Sequence, residues 1–375
     1  MGGNILKLYD ILLFFILLIL GGILVSCGES NSPPESASIA QSLSGAGTEG
    51  FKRADSQREF HFPEDFGPHP GYQTEWWYYT GNLSAEDGRE FGYQLTFFRR
   101  SLSPHKIERE SKWAANQIYF AHFALTDVES GQFYSNEKWS RGAAGLAGSQ
   151  SDPFQVWIDN WSIKGDEKQI HLIAEDGQLS INLNLKSGKP LVLQGDKGLS
   201  QKSGEAGNAS YYFSQTRLKS AGTIAIDGQH FEVSGLSWLD REWSTSALGE
   251  NQEGWDWFSI QLDDGREIML YQLRLKGGGI DTYSSGSVIE KDGSVEQLTA
   301  GDFEIEPLDT WKSPERGIVY PSKWRINIPD YNLEMTVTPL LNNQELLLSF
   351  TYWEGAVKVT GDGLSGKGYV ELTGY

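Results

Sequence analysis

The chain has 375 residues, a formal net charge of −19 and a single cysteine. So acidic a surface excludes nucleic acid as a partner and argues against electrostatic adhesion to anionic lipid. One cysteine excludes an intrachain disulfide, so the fold stands on its core alone.

Lys7 lies in a short polar start, and an almost uninterrupted apolar run follows from Ile11 to Val25. This is the layout of an export signal, and the run is shorter than the roughly 20 apolar residues of a membrane-spanning helix. It ends in Leu24-Val25-Ser26-Cys27, which resembles the bacterial lipobox. The resemblance implies removal of residues 1–26 and a diacylglyceryl group on the Cys27 thiol, the acyl chains then serving as membrane anchor. An uncleaved anchor helix with an incidental cysteine is the alternative, and both place the remainder outside the cytoplasm. Residue 28 is Gly, whereas lipobox proteins with Asp there tend to stay at the inner membrane. By that resemblance the expected location is the outer membrane, facing the periplasm.

Residues 28–50 are rich in Ser, Gly, Ala and Pro with almost no bulky apolar groups, so a flexible tether is expected over 27–57. From Phe60 onward the composition turns aromatic, and all 13 tryptophans lie beyond it. Strand-like stretches of alternating, β-branched and aromatic residues recur over 75–83, 91–99, 117–127, 170–174, 180–185, 222–226 and 231–237. Others fall at 257–262, 267–275, 324–328, 333–339, 345–351 and 356–360. Asp227-Gly228 and Asp264-Gly265 each sit between two such runs and predict hairpins. Residues 195–210 lack strand character and read as a mobile crossing or lid. Past the export segment no long helical pattern occurs. Many antiparallel strands in chain order predict an all-β protein of sandwiches or up-and-down barrels.

The most unusual stretch is HPGYQTEWWYYTGNL, His69 to Leu83. Alternation puts Glu75, Trp77 and Tyr79 on one strand face and Trp76, Tyr78 and Thr80 on the other. Glu75 is either a catalytic carboxylate or the ion-pair partner of an arginine such as Arg99, since buried carboxylates are paired or functional. In LSWLDREWS, Leu236 to Ser244, three charges lie between Trp238 and Trp243. A carboxyl held among aromatics has a raised pKa, suited to a general acid at neutral pH, which makes Asp240 a candidate; a bridge from Asp240 to Arg217 or Arg241 is the structural alternative. In GWDWFSIQLDDG, Trp255 and Trp257 share a strand face. His122, in YFAHFALTD, is the only histidine in a strongly apolar strand; a satisfied core residue and a catalytic base are both open readings. No HxxxH, HExxH or cysteine cluster is present, so no metal site is expected. GxSxG and phosphate-cradling glycine loops are also absent from the sequence.

Those motifs, with FGYQLTFFRR and the closing YWEGAVKVTGDGLSGKGYVELTGY, resemble the lipocalin-like family that includes AttH, the carotenoid 1,2-hydratases (hydroxyneurosporene synthases) and many secreted proteins described as hydrolases. The resemblance spans nearly all of residues 58–375. It implies two calycin-type antiparallel β-barrel domains side by side, over 58–247 and 248–375, a pocket for an extended apolar molecule, and no cofactor. Asp240 and Trp243 fall in the family's Asp-containing motif, and Tyr271 falls on its matching later strand. The hydratase pattern has a histidine where this chain has Leu239, and an acid after the tyrosine where Gln272 and Leu273 stand.

The leading expectation is an exported lipoprotein that binds a lipid or isoprenoid-like molecule in a Trp-rich barrel pocket. Trp76, Trp77, Trp238, Trp243, Trp255 and Trp257 are its candidate ligand-binding residues. The rival is a cofactor-free hydratase or hydrolase acting on such a molecule, with Asp240 or Glu75 as acid and Tyr271 or His122 assisting. Sugar binding on aromatic platforms is a third reading, and export or transport machinery is a candidate partner.

Overall fold

The computed structural model describes residues 47–105, 111, 113–246 and 248–375. The export segment, Cys27 and the first part of the expected tether lie outside the described residues. The described chain forms two antiparallel sheets, with two short 3-10 turns as its only helical elements.

The first sheet holds β1 (Thr74–Ala85), β2 (Glu90–Ser101), β3 (Gln117–Asp127), β4 (Gln132–Arg141), β5 (Ala147–Ser151), β6 (Phe154–Ile158), β7 (Trp161–Gly165), β8 (Gln169–Asp176), β9 (Leu179–Ser187), β10 (Val192–Leu193), β11 (Leu199–Gln201), β12 (Ala209–Ile226) and β13 (Gln229–Ser244). Its order is 4-3-2-1-13-12-9-8-7-6-5, with β10 and β11 added on β12. The second sheet holds β14 (Gln252–Leu262), β15 (Glu267–Leu275), β16 (Ser285–Ile289), β17 (Val295–Thr299), β18 (Glu304–Lys312), β19 (Val319–Ile328), β20 (Leu333–Pro339), β21 (Glu345–Leu347), β22 (Thr351–Gly361) and β23 (Leu364–Leu372). Its order is 17-16-15-14-23-22-20-19-18, with β21 on β22.

Each sheet curls into a barrel-like wall around its own core. Phe123 on β3 meets Trp161 on β7 edge-on, which draws distant strands of the first sheet together across its interior. Phe258 on β14 and Trp324 on β19 do the same in the second. Both interiors are filled with side chains, including Trp77, Tyr79, Phe97, Trp161 and Trp243 in one and Ile260, Trp324, Trp353 and Val370 in the other. The expected pocket is therefore not inside either barrel.

What the strands do with their second face decides where a site can form. On β9, buried and exposed residues alternate, as for a strand with one wet face. On β1, β2 and β3 nearly every residue is buried, because the face away from the first core packs against the outer face of β14, β15, β22 and β23. The contact is tight: a Cβ added at Gly92 on β2 would collide with Ala356 on β22. Polar links cross it as well, from Asn82 Nδ2 to the Gly368 carbonyl at 3.0 Å and from Gln261 Nε2 to the Thr216 carbonyl at 2.7 Å.

Three local expectations change. The last part of the expected tether is docked, with Phe51 and Ala54 buried and the Lys52 N–H on the Gly71 carbonyl at 2.9 Å. Two apolar side chains suffice to hold a short segment whose backbone also finds partners. Residues 195–210 are not a free lid, since β11 pairs with β12 and Lys202 and Asn208 are buried. The expected strand over 345–351 is broken after Leu347, and the next strand starts at Thr351.

Candidate active site

Pairing register assembles the site. Along β12, β13, β1 and β2, one transverse row reads Tyr212, Glu242, Trp76, Phe98, and the next reads Ser214, Asp240, Tyr78, Thr96. Residues level with one another across a sheet point to the same face, so both rows look away from the first barrel's core. On the second sheet, Trp257 stands level with Tyr271 on one side and Glu371 on the other. Where the two faces meet they leave a cavity of about 70 Å³, room for several water-sized groups at roughly 10–15 Å³ each. Aromatic rings from both sheets wall it, Trp76, Tyr78, Phe98 and Tyr212 opposite Trp255, Trp257 and Tyr271. Its polar groups are Asp240, Glu242, Lys202 and Glu371.

Asp240 is buried and makes no ion pair among the described residues. The Ser214 hydroxyl and the Trp238 indole N–H donate to Oδ1 at 2.6 and 2.7 Å, and the Tyr212 hydroxyl donates to Oδ2 at 2.5 Å. Burial pushes its pKa up to about 7, although those three donors pull the other way and Glu242 adds to the rise. The result is a carboxyl that exchanges its proton near neutrality. Tyr212 is fixed from the other side by the Trp257 indole N–H at 3.3 Å.

Lys202, delivered by the turn between β11 and β12, brings the positive charge. Its ammonium lies 3.4 Å from Glu242, donates to Ser200 Oγ at 3.0 Å and sits 4.3 Å from the centre of the Tyr271 ring. Burial opposes this charge, yet Glu242 and Tyr271 raise the pKa above the ordinary lysine value. The Tyr271 hydroxyl pairs with Ser200 Oγ at 3.1 Å. The site thus carries a neutralisable acid, a Lys–Glu pair and aromatic faces able to stabilise a cation.

The other sequence candidates fall elsewhere. Glu75 points into the first barrel, where Arg99 and Arg241 both pair with it and the His69 N–H donates at 3.0 Å. Burial alone would raise its pKa, but the two guanidinium groups and His69 hold it well below the usual carboxylate range. A carboxylate so committed has no proton to give and no path to the cavity, so its place is structural. Trp77 and Trp243 belong to the same interior. The Arg241 guanidinium lies 4.1 Å over Trp77, and His69 stacks on Trp243 at 3.7 Å. His122 lies on the contact face of β3 but does not line the cavity; its Nδ1 meets the Tyr352 hydroxyl at 2.7 Å, and burial lowers its pKa to about 4. Trp238 does not line the cavity; it donates to Asp240 and meets Trp257 edge-on. Of the candidates, Asp240, Tyr271, Trp76, Trp255 and Trp257 are brought together.

Lys202, Tyr212 and Glu371 were not candidates. Lys202 lies in a polar segment that carries no periodic signal. Glu371, in GYVELTGY, carries the same mark as Asp240, an acid on an aromatic-rich strand, and that mark could have found it.

Two lipocalin-like β-barrels that press their outer faces together over an acid-bearing aromatic cavity define the class. Within it, the chain belongs to the AttH-like family, whose match runs over residues 53–375. An AttH protein from Nitrosomonas europaea is 34% identical, with 87% of this chain and 100% of that one covered and a TM-score of 0.79. Kievitone hydratase from Nectria haematococca shares the fold at 13% identity, with 86% and 97% covered and a TM-score of 0.64. No curated protein matches the chain.

Proposed function

We propose that the inter-sheet cavity is the active site of a cofactor-free acid–base enzyme that adds water across a carbon–carbon double bond of an apolar molecule. The observation that carries this reading is Asp240: a buried carboxyl with no cationic partner among the described residues, titrating near neutrality, at the edge of an aromatic cavity. Its O–H gives a proton to one alkene carbon, and the Trp76, Trp255 and Trp257 rings stabilise the positive charge left on the other. A water oxygen bonds to that carbon. The surplus proton returns to the Asp240 carboxylate, which restores the acid and leaves an alcohol. That one structural relative is a hydratase is in keeping with this chemistry on this fold.

Retention of a lipid or isoprenoid-like molecule without reaction is the second reading, favoured by the predominance of rings in the lining. One experiment separates the two. The protein from Phe51 onward is incubated with the host's extracted lipids in heavy-oxygen water, and free and protein-bound fractions are read by mass spectrometry. Labelled oxygen in an otherwise intact molecule, absent with Asp240→Asn, is the expected result, whereas label in a cleavage product would point to hydrolysis. A lipid class retained without label would replace the enzyme by a carrier.

The lipobox supports a further proposal, that the chain is exported and acylated at Cys27 and held at the outer membrane. Fatty-acid labelling that persists in Cys27→Ser would overturn it.

A further inference from the structure

Across the cavity from Asp240, two more acids stand side by side on the second sheet. Glu371 on β23 and Glu354 on β22 stand level in register, and among the described residues no lysine or arginine pairs with either. Glu354 is fully buried, and neither of its oxygens receives a hydrogen bond of regular geometry, although the Tyr78 and Tyr352 hydroxyls adjoin it. The Trp255 indole N–H donates to Glu371 Oε1 at 2.8 Å, which leaves Oε2 as the oxygen without a tryptophan. Glu371 itself lines the cavity. Two carboxyls on paired strands, neither in an ion pair among the described residues and one of them fully buried, resist ionising together.

We propose that Glu371, backed by Glu354, is a ligand-binding carboxylic acid that donates its O–H to an oxygen acceptor on the bound molecule. This rests on the reading of the cavity as a ligand site, and it adds a substrate class: an apolar molecule with a carbonyl, ether or hydroxyl oxygen within reach of the reacting double bond, rather than a pure hydrocarbon. The direction of titration agrees. Burial pushes Glu371 up to about 8 against the Trp255 hydrogen bond, with the charges of Asp240 and Glu242 adding to the rise, and burial together with Glu371 raises Glu354 well above the usual carboxylate range. The groups that bear on the pair are Asp240 and Glu242 from β13, Tyr78 from β1, and Tyr352 and Tyr369 on its own sheet.

The test uses two probes of one shape, acetophenone, which carries a carbonyl acceptor, and isopropylbenzene, which carries none. Their dissociation constants are measured by calorimetry at pH 6 on the wild type, Glu371→Leu and Glu371→Gln. The Leu substitution is expected to weaken acetophenone about tenfold while leaving isopropylbenzene within about twofold, the size expected for one buried hydrogen bond. Glu371→Gln, whose amide N–H still donates, keeps acetophenone within about threefold. Equal effects on both probes, or none on acetophenone, would overturn the proposal. Should Glu371→Leu fail to fold, Asp240→Asn decides, since it removes the neighbouring titration and its contribution to the Glu371 pKa: acetophenone affinity must fall as Glu371 ionises, at a pH below about 8, while isopropylbenzene affinity holds. Failure of both probes to bind the wild type would instead remove the ligand site itself, and neither result depends on turnover.

Discussion

Asp240 and Glu75 lie on neighbouring strands, both out of solvent, and differ in what meets their oxygens. Glu75 meets two guanidinium groups, whereas Asp240 meets two hydroxyls and an indole. Removing Glu75 would leave two buried arginines without a counter-charge, so Glu75→Ala is expected to destabilise by about 3–5 kcal/mol in denaturant titration. Asp240→Asn behaves in the opposite way. The folded pKa of Asp240 lies above its unfolded value, so its contribution to stability is complete below about pH 4 and is lost as pH rises through about 7. The variant should therefore be more stable than wild type at pH 8 by up to about 4 kcal/mol, with the difference vanishing below pH 4, and it should lose turnover. Both carboxylates were legible as unusual from their tryptophan neighbours. Which one was paired was open, because strand alternation gives the face but not the partner; Arg99 was nameable for Glu75, but nothing in the spacing showed that Arg241 turns to Glu75 and leaves Asp240 free.

At the scale of elements, the Asp227-Gly228 hairpin formed as its sequence requires, since both residues adopt positive φ in the two-residue turn between Ile226 and Gln229. The strands over 117–127, 267–275 and 333–339 also stand where their side-chain pattern puts them. The run from β4 to β7 was hidden, because those strands are short or carry polar residues on a half-exposed face, as β4 does. Dense aromatics on β1, β2 and β3 had a meaning that a single-barrel reading misses: both faces are buried, one in a core and one against another sheet. Gly92 marks that second contact. Gly92→Val would wedge β2 from β22, with an expected cost of about 1–3 kcal/mol and a looser cavity, measurable as weaker binding of isopropylbenzene.

For the whole molecule, the shared aromatic face makes the two barrels interdependent. Glu267 on the second sheet is buried and paired with both Lys189 and Arg217 of the first, and Ser287 Oγ donates to Gln194 at 2.8 Å across the same boundary. Neither half can dissociate without wetting Trp257, Tyr271 and Tyr212, so calorimetry should show one unfolding transition rather than two. The transition temperature should peak at about pH 5. Below that, Glu75, Asp65 and Asp127, whose folded pKa values are lowered, lose their contribution as they protonate. Above it, Asp240 and Glu371, whose folded pKa values are raised, lose theirs as they ionise. The strand pattern left sandwiches and barrels open and the family resemblance implied two barrels; that the site would lie between them was not legible, because no local pattern records which outer faces meet.

The measurement that bears most directly on the acid in this cavity is difference infrared spectroscopy of the wild type against Asp240→Asn across pH 4 to 9. A carboxylic C=O band that belongs to Asp240 and disappears near pH 7 is the predicted result. A band that is already gone by about pH 5, as for an ordinary carboxylate, would contradict Asp240 as a general acid at neutral pH.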